Sequence, residues 1–496
     1  MKRKVAIRVD ASVAIGTGHV TRCLSLARNL ENAEITFVSR EHAGNLCDWL
    51  ETLGFAVLRL PPPPAGAAGN GYAAWLGVSE EQDAADTLAA LGACDALVVD
   101  HYGLGRAWES RLRSACGILL AIDDLANREH DCDVLLDQNL REGTENPYLR
   151  LCPPACEFLL GPRYALLSPA FAASAGGAQG KERVFVFFGG SDLSGETMKA
   201  LHAIGELGRP NVKFDVLVGK NNPRLGEIRD FARTLPAVSL TEQMLSPSEM
   251  IERMSQACLA LGAGGTTSWE RCCLGLPSLV VSVAENQIPG AAAMAEALQH
   301  LYLGESAKVT AEDLGNALRF ALDHPELTRA IRRNNLSLVD GRGALRAAAK
   351  LLPPFVHLRP ATESDSDLVH AWRNAPAARA HSFDVAEIPL ENHRRWFSAT
   401  LANPARLLLI ADGVGVLRYD LMGEEALVSI YLAPGQQGRG YGTALLRAGT
   451  RWLQKNQPGV QGIRGEVKRE NLASQNAFRA AGFDVASYGF KLRIHP

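Results

Sequence analysis

A rhythm of short aliphatic strands, each followed by a stretch of helical character, constrains the fold of this chain more than any other feature. In the first part of the chain, strands are predicted at Val5–Val9, Ile35–Val38, Ala96–Val99 and Ile118–Ile122. The rhythm starts again with strands at Arg183–Phe188, Lys213–Val218, Leu259–Leu261 and Ser278–Val283. Strands that alternate with helices form parallel βα units. The sequence therefore predicts two tandem Rossmann-like α/β domains with a ligand cleft between them.

A chain of 496 residues is too long for one ordinary hydrophobic core, and three blocks are expected. Residues 1–172 form the first block, and the small residues of 172–180 predict a flexible linker. Residues 181–353 form the second block, which ends in a helical run, Leu345–Leu352, stopped by Pro353 and Pro354. The Pro- and Gly-rich segment Pro61–Asn70 is predicted to be a surface loop.

The third block, residues 354–496, has a different pattern and is predicted to be an α+β domain. It opens with a predicted strand at Val356–Arg359. The next predicted elements are strands at Arg406–Ala411, Val414–Asp420 and Ala426–Leu432 and a long helix at Gly442–Lys455.

Composition excludes several classes of protein. A formal net charge of −3 argues against a nucleic-acid partner. Because no apolar stretch reaches the length of about 18 residues that a transmembrane helix needs, no membrane insertion is expected. The amino terminus is basic like a signal peptide, but Arg8 and Asp10 interrupt its short apolar run, so a cytoplasmic protein is expected. The ten cysteines form no CxxC pair, which favours buried reduced thiols and no metal site.

The loop after the first predicted strand carries a candidate catalytic base. Gly16 and Gly18 allow a tight backbone turn that can approach a ligand, and His19 follows at the start of the next helix. The positive end of that helix favours the neutral imidazole, which is the form able to accept a proton. An ordinary βα turn with a polar capping residue is the alternative interpretation.

Three loops of the second block are candidates for holding a nucleotide. Glycines and hydroxyl residues precede a helix whose free N–H groups can bind a diphosphate, and Glu270, one turn into the helix, could bind both ribose hydroxyls. A tight turn with a helix cap is the alternative. The residues of these loops are Gly264, Gly265, Thr266 and Thr267, then Asn286 and Gln287 after the next strand, and Gly190 and Ser191 after the strand that opens the block.

Polar residues also follow two strands of the first block. Asp100 and Tyr102 come after one strand, and Asp123 and Asp124 come after the next. The carboxyl ends of parallel strands form the functional edge of such a sheet. Helix capping and metal binding are alternative roles for the paired acids, although no supporting histidine spacing is present.

The loop Gln437–Thr443 precedes the long helix of the third block. In such a loop, backbone N–H groups and the helix start can wrap a pyrophosphate. Together with the segment Glu466–Phe483, this loop resembles the GCN5-related N-acetyltransferases, and the resemblance covers roughly residues 356–496. The resemblance implies acetyl-CoA as co-substrate and the binding residues Leu432, Gln437, Gly438, Arg439, Gly440, Tyr441, Gly442, Thr443, Asn471, Ser474 and Asn476.

One position departs from that family. A tyrosine, acting as general acid, often stands four residues before the Gly-Phe pair, but here Phe478 fills that position. Glu466 and Tyr441 are the alternative proton carriers.

Residues 1–350 resemble the UDP-sugar hydrolases of pseudaminic acid biosynthesis, which are relatives of the MurG-type glycosyltransferases with the GT-B fold. The matching segments are Arg8–Ser12, Ile15–Cys23, Asp100–Tyr102, Gly161–Leu167, Gly189–Asp192 and Gly264–Glu270. The resemblance implies a GT-B arrangement of the two Rossmann-like domains. It also implies metal-independent hydrolysis, with inversion, of UDP-2,4-diacetamido-2,4,6-trideoxy-β-L-altropyranose.

The hydrolase resemblance also implies site residues. His19 matches the catalytic base, Glu270 matches the ribose ligand and Asn286 matches a nucleotide contact. The implied substrate-binding residues are Arg8, Asp10, Gly16, Gly18, Asp100 and Tyr102. The implied UDP-binding residues are Gly190, Ser191, Gly264, Gly265, Thr266, Thr267, Glu270, Asn286 and Gln287.

The fusion itself favours a bifunctional enzyme. In the same pathway an N-acetyltransferase acts on the 4-amino group of the UDP-sugar just before hydrolysis, so one chain would catalyse consecutive steps. Two alternatives remain for the first two blocks: a glycosyltransferase that uses an acceptor other than water, and a nucleotide-sugar sensor. The expected partners are a UDP-sugar and acetyl-CoA.

Overall fold

The computed structural model describes residues 2–64, 71–141, 143, 145–178, 180, 182–220, 222–352, 356–380, 385–486 and 489–493. Two compact units, Met1–Leu351 and Leu352–Pro496, divide the chain. The first two predicted blocks therefore form one unit, and the third block corresponds to the other. Residues 65–70 of the predicted surface loop lie outside the described residues, as do Pro353 and Pro354, which were expected to end the last helix of the second block.

The first lobe of unit one is built on a parallel sheet, which in the described residues has the strand order β3-β2-β1-β4-β5-β6-β7. Its strands are buried aliphatic runs, as expected for a parallel sheet covered on both faces. They are β1 (Arg3–Val9), β2 (Ala33–Arg40), β3 (Ala56–Leu60), β4 (Cys94–Asp100), β5 (Cys116–Ile122), β6 (Val134–Asp137) and β7 (Glu157–Leu160). The helices up to the second lobe are α1 (Gly18–Ala27), α2 (Cys47–Thr52), α3 (Ala73–Leu76), α4 (Glu80–Ala90), α5 (Arg106–Leu112) and α6 (Pro169–Ala173).

The second lobe repeats this architecture with the strand order β10-β9-β8-β11-β12-β13, again parallel. Its strands are β8 (Arg183–Phe187), β9 (Lys213–Leu217), β10 (Val238–Thr241), β11 (Leu259–Ala263), β12 (Ser278–Ser282) and β13 (Leu301–Glu305). Its helices are α7 (Glu196–Gly205), α8 (Leu225–Ala232), α9 (Pro247–Ser255), α10 (Thr267–Leu274), α11 (Ile288–Glu296), α12 (Ala311–Asp323), α13 (Pro325–Leu338) and α14 (Gly343–Leu351).

Helix α14 crosses back from the second lobe and packs on the first. It contacts α1 and the short turn Pro162–Tyr164. The approach is close, since a Cβ atom on Gly343 would lie 2.3 Å from the carbonyl oxygen of Ala165. Two Rossmann-like lobes tied together by a returning carboxyl-terminal helix form the predicted GT-B arrangement, so the predicted fold class of this unit is confirmed.

The segment between the lobes is not the flexible linker that its small residues predicted. Ala172 and Ala173 end helix α6. The amides of Gly176 and Ala178 donate to the carbonyls of Cys273 and Leu274, and Ala178 is buried. Small side chains let this backbone pack closely against the second lobe. A run of small residues is typical both of flexible linkers and of closely packed segments, so composition alone does not distinguish the two.

Unit two is an α+β structure with the strand order β14-β15-β16-β17-β18-β20-β19 among its described residues. Its strands are β14 (Arg359–Pro360), β15 (Arg406–Ala411), β16 (Gly415–Met422), β17 (Glu425–Leu432), β18 (Gly462–Gly465), β19 (Asp484–Ala486) and β20 (Gly489–Arg493). Its helices are α15 (Ser366–Asn374), α16 (Pro376–Ala380), α17 (Leu390–Leu401), α18 (Tyr441–Asn456) and α19 (Leu472–Ala480).

The predicted strand at Val356–Arg359 is wrong in its extent, because the observed strand is only β14, Arg359–Pro360. Val356 and Leu358 are nevertheless buried in the core of unit two. Their apolar character therefore reflects packing in the core, although they lie outside the paired strand β14. Across the described residues, no helix combines the length and apolar character needed to cross a membrane.

Candidate functional site

Loops from the carboxyl edges of both sheets meet in the cleft between the two lobes. A Cβ atom built on Gly18, after β1, would lie 3.5 Å from Oγ1 of Thr266, after β11. A Cβ atom on Gly190, after β8, would lie 3.6 Å from Oγ1 of Thr17. Gly16 has a φ of 77°, a conformation that glycine adopts without strain. The structure therefore brings together three of the predicted glycine loops.

His19 lies in the first turn of α1 and is held by a carboxylate. Its Nδ1 is 2.6 Å from Oδ1 of Asp100, the last residue of β4. Arg22 donates to both oxygens of that carboxylate, at 2.7 Å each. Burial alone would raise the pKa of Asp100, but the charge of Arg22 outweighs it, and the pKa lies well below its usual range. The ionised Asp100 accepts a hydrogen bond from Nδ1–H of His19 and leaves Nε2 as the basic nitrogen.

Asp100 was expected to bind substrate, but its side chain is fully buried and both oxygens are occupied by His19 and Arg22. Its place in the structure is that of a group that orients His19. Arg22 stands three residues after His19 in the same sequence motif, but its role in holding Asp100 was not predicted. The signal was the i, i+3 spacing, which puts both side chains on one helix face.

Tyr102 and Asp124 continue this network towards the second lobe. The Tyr102 hydroxyl donates to Oδ2 of Asp124 at 2.5 Å, and Arg22 donates to the same oxygen at 2.6 Å. Asn286 of the second lobe donates to the Tyr102 hydroxyl at 3.3 Å. Tyr102 and Asn286 were predicted separately, as a substrate contact and as a nucleotide contact. In the structure they form a hydrogen bond with each other across the cleft.

Glu270 lies in the first turn of α10 with an unsatisfied carboxylate. Its Oε2 is buried and has no hydrogen-bond partner. Burial raises the pKa of Glu270 to about 7. A buried acceptor without a donor is costly unless a ligand supplies one. Gln287 lies beside this loop, with Nε2 3.7 Å from the position of a Cβ atom on Gly265.

The loop after β8 turns sharply where it faces the first lobe. Gly189 has a φ of 103°, and Asp192 then caps helix α7 by accepting from the amides of Glu196 and Thr197 at 2.9 Å each. This capping leaves Gly190 and Ser191 at the turn, where Gly190 lies next to Thr17.

Arg8 and Asp10, both expected to bind substrate, lie in the interior of the first lobe. Each is 0% exposed. Arg8 bridges Asp10 and Asp83, with nitrogen–oxygen distances of 2.5 and 2.6 Å, and Arg40 also pairs with Asp83 at 2.8 Å. These ion pairs connect β1, β2 and α4 in the interior of the lobe. The full burial of Arg8 and Asp10 contradicts their predicted contact with substrate. The sequence carried no sign of Asp83 as their partner, because it is more than 70 residues away.

In unit two, the predicted glycine loop leads from β17 into α18. Gly438 and Gly440 have φ values of 80° and 78°, and a Cβ atom on Gly438 would meet no atom within 4 Å. Strand β17 pairs with β18 only as far as Val428, whereas it pairs with β16 as far as Leu432. The end of β17 thus separates from β18 just before the loop.

The second half of the predicted acetyl-CoA site lies around α19. Asn471 caps this helix by accepting from the amide of Ser474 at 3.0 Å, and Asn476 is exposed on it. Phe478 is 2% exposed and packs in the core with Phe483 and Phe490, so this position is structural.

The two alternative proton carriers differ in their surroundings. Glu466 is exposed directly after β18, and Tyr441 is partly buried at the start of α18. The guanidinium of Arg439 lies 6.0 Å from the centroid of the Tyr441 ring.

The described residues contain one group of side chains close enough to share a metal ion, namely Cys132, Cys152 and Cys156. These three buried thiols pack in the hydrophobic core of the first lobe. None of them belongs to the cleft loops. All ten cysteines of the chain are free thiols.

Comparison with known proteins points to two families. Residues 356–484 match the family model of the acetyltransferase (GNAT) domain. The spore coat polysaccharide biosynthesis protein SpsG of Bacillus subtilis is 30% identical over 197 residues, which cover 38% of this chain and 57% of SpsG. The UDP-2,4-diacetamido-2,4,6-trideoxy-β-L-altropyranose hydrolase of Campylobacter jejuni is 25% identical over 233 residues, which cover 46% of this chain and 74% of that protein.

Among solved structures, MurG of Acinetobacter baumannii aligns over 71% of this chain and all of its own, with 13% identity and a TM-score of 0.49. The predicted family resemblances are confirmed by the sequence relatives and the domain match. The chain therefore joins a two-lobed α/β unit similar to this hydrolase and to SpsG to a second unit whose residues 356–484 match the acetyltransferase (GNAT) domain.

Proposed function

We propose that the chain catalyses two consecutive reactions on one UDP-sugar. Unit two acetylates the 4-amino group of UDP-4-amino-4,6-dideoxy-N-acetyl-β-L-altrosamine. Unit one then hydrolyses the product, UDP-2,4-diacetamido-2,4,6-trideoxy-β-L-altropyranose, to UDP and 2,4-diacetamido-2,4,6-trideoxy-L-altrose. The observation that carries the proposal is the pairing of His19 with Asp100 in the same cleft as the unsatisfied carboxylate of Glu270.

Hydrolysis needs a base for water and a stable place for the leaving group. Nε2 of His19 takes a proton from water as the water oxygen attacks the anomeric carbon. The bond from that carbon to the UDP oxygen breaks with inversion, and its electron pair leaves with UDP. Asp100 holds the ring and stabilises the imidazolium that forms. A positioned general base such as His19 typically contributes about 10²–10⁴-fold to the rate.

The second lobe is suited to hold UDP without a metal ion. The start of α10 offers backbone N–H groups to the diphosphate, and Glu270 offers its free oxygen to the ribose hydroxyls. The proposed contacts are Gly190, Ser191, Gly264, Gly265, Thr266, Thr267, Glu270, Asn286 and Gln287.

In unit two, the glycine loop and the end of β17 are suited to hold acetyl-CoA. The open space beside Gly438 and the start of the 16-residue helix α18 fit a pyrophosphate. Leu432 marks the strand end that has separated from β18. When bound, acetyl-CoA supplies the acetyl group to the sugar amine. The proposed contacts are Leu432, Gln437, Gly438, Arg439, Gly440, Tyr441, Gly442, Thr443, Asn471, Ser474 and Asn476.

The free thiols support a reducing compartment, and we place both reactions in the cytoplasm. Proton NMR of the purified chain with the UDP-4-amino sugar, with and without acetyl-CoA, tests the proposal. We expect N-acetyl signals to appear first, followed by free diacetamido sugar and UDP. His19→Ala should acetylate normally and release UDP at least 100-fold more slowly.

Other outcomes separate the alternatives. Acetylation without UDP release would overturn hydrolysis in favour of a glycosyltransferase or a sensor, and added acceptor sugars would then distinguish those two. Hydrolysis by His19→Ala at the wild-type rate would show that the base is a different residue.

A further inference from the structure

Three aromatic rings surround His19 on the first-lobe side of the cleft. The rings of Trp75 and Tyr102 lie nearly parallel, with their centroids 5.6 Å apart and an interplanar angle of 24°. The ring of Tyr72 meets both of them edge-on, at centroid distances of 4.9 Å to Trp75 and 5.0 Å to Tyr102. The imidazole of His19 is also edge-on to Tyr102 at 4.7 Å and to Trp75 at 6.2 Å. The cluster therefore continues directly from the catalytic base that we propose.

Tyr72 and Trp75 do not belong to the hydrophobic core. Both are half-buried, and neither is part of the core cluster that contains the next residue of the same helix, Leu76. Helix α3 has only four residues, and Leu76 anchors it. Trp75 lies on this short helix and Tyr72 directly precedes it. Two large rings that are left partly exposed beside the proposed catalytic histidine are expected to have a ligand as their remaining partner.

The charges around Tyr72 place it at the cleft. Burial raises the pKa of Tyr72, and the charges of Glu285 and Asp124 raise it further. Glu285 begins the second-lobe turn that also contains Asn286, the residue that contacts Tyr102. Tyr72 is therefore near the second lobe as well as near His19.

We propose that Tyr72 and Trp75, supported from behind by the buried ring of Tyr102, form an aromatic platform that binds the apolar face of the sugar and its methyl groups. The electron-rich faces of aromatic rings attract C–H groups, and apolar pockets with few polar groups are typical of ligand sites. A 6-deoxy sugar with two acetamido groups presents three methyl groups and fewer hydroxyls than a common hexose. The platform rests on the proposed function, since it takes its substrate from that reaction.

The platform makes a prediction about selectivity. UDP-N-acetylglucosamine has a hydroxymethyl group in place of the 6-methyl group and a hydroxyl in place of the 4-acetamido group, so it lacks two of the three methyl groups. We expect it to bind on the order of tenfold more weakly than the diacetamido substrate. Its ring configuration also differs, so the diagnostic result is a smaller difference in affinity when Trp75 is replaced by alanine.

Kinetics of Trp75→Ala, Trp75→Phe and Tyr72→Phe in the full chain test the platform. We expect Trp75→Ala to raise KM at least tenfold, with kcat and its pH profile changed little and with unchanged UDP affinity, and Trp75→Phe to restore most of the KM. Trp49→Phe, a half-buried tryptophan on α2 of the same lobe, is the matched control. A fall in kcat with KM unchanged would overturn the platform, because the ring would then only position His19.

A binding measurement separates this proposal from the hydrolysis itself. The chain has seven tryptophans, and 5-fluorotryptophan labelling with the Trp75→Phe variant identifies the ¹⁹F signal of Trp75. In the His19→Ala background we expect the UDP-diacetamido sugar to move that signal and UDP alone to move it little. A moved signal in a protein whose wild type releases no UDP would sink the hydrolase assignment and keep the platform. A signal that the sugar leaves unmoved, with an unchanged KM in Trp75→Ala, would sink the platform alone.

Discussion

Asn286 in the second lobe donates a hydrogen bond to the hydroxyl of Tyr102 in the first lobe, over 3.3 Å. That hydroxyl donates to Asp124, which accepts from Arg22, and Arg22 in turn holds Asp100 against His19. The loop expected to contact the nucleotide is thus connected to the candidate base through four side chains. Networks of this kind fix geometry as well as charge.

Asp100→Asn tests the positioning of His19. The amide keeps the shape of the carboxylate but removes the charge that stabilises the imidazolium. We expect kcat for UDP release to fall about 10²–10⁴-fold, with UDP affinity preserved. A wild-type rate would contradict the role of Asp100.

Glu270→Gln tests the ribose ligand through pH. Burial raises the pKa of Glu270 to about 7, so the free protein loses the ionised carboxylate as the pH falls below that value. Because ribose hydroxyls donate to the ionised form, affinity for a UDP-sugar should rise as the pH increases through about 7 and then level off. Calorimetric titration should show this profile in the wild type and a flat one in Glu270→Gln. Glu296→Gln, an exposed carboxylate in the same lobe, should keep the wild-type profile.

The same substitution should stabilise the unliganded protein. Burial in the folded state raises the pKa of Glu270 above its ordinary value of 4.5, so stability falls as the pH rises from about 4.5 to 7 and stays reduced above 7. The shift corresponds to on the order of 3 kcal/mol at pH 8. Thermal unfolding at pH 8 should therefore give a higher Tm for Glu270→Gln, and an unchanged Tm would indicate that solvent reaches the carboxylate.

Gly438→Ala tests the acetyl-CoA loop against a matched control. Gly438 and Gly413 have φ values of 80° and 69°, and a Cβ atom on either would meet nothing within 4 Å. Each alanine should cost about 1 kcal/mol of backbone strain. Only Gly438→Ala places a methyl group where we expect the pyrophosphate, so it alone should weaken acetyl-CoA binding at least tenfold. UDP release from preacetylated substrate should not change in either variant.

Arg8→Met tests the interior placement of a residue once expected to touch substrate. The substitution leaves Asp10 without its guanidinium and Asp83 with Arg40 as its remaining arginine. Breaking a fully buried ion pair in this way typically costs about 3–5 kcal/mol. Urea unfolding should show that loss, whereas Arg59→Met, which removes exposed ion pairs, should change the midpoint little. If the Arg8→Met protein were as stable as the wild type but bound substrate weakly, Arg8 would be a substrate contact and not a structural residue.

Local sequence patterns predicted the elements well because burial and strand pairing in parallel sheets depend on short apolar runs. The strand predicted at Arg406–Ala411 has the observed bounds, and Gly442–Lys455 is one residue short of α18 at each end. The prediction at Val356–Arg359 was wrong because burial there occurs without pairing. Among the described residues, eight strands were not predicted, and each has five residues or fewer, which carry little periodicity. They are β3, β6, β7, β10, β13, β18, β19 and β20.

Long-range contacts explain the rest of the outcome at the site. His19 and Glu270 could be named from motifs because each stands at a helix start after a strand. The role of Asp100 depends on two residues about 80 positions away, and the interior pairing of Arg8 depends on Asp83. Tyr72 and Trp75 had no motif, and only the folded arrangement sets their rings beside His19. The UDP and acetyl-CoA contacts remain predictions.

The return of helix α14 to the first lobe has a practical consequence for dissecting the chain. A fragment that ends before Gly343 would keep both sheets but uncover the surface of α1 on which α14 rests. The smallest piece expected to fold as the complete two-lobed unit is therefore 1–351, even though its last nine residues follow the second lobe in sequence. Truncation at the apparent end of the second Rossmann-like repeat would remove the helix that packs on the first lobe and connects it to the second.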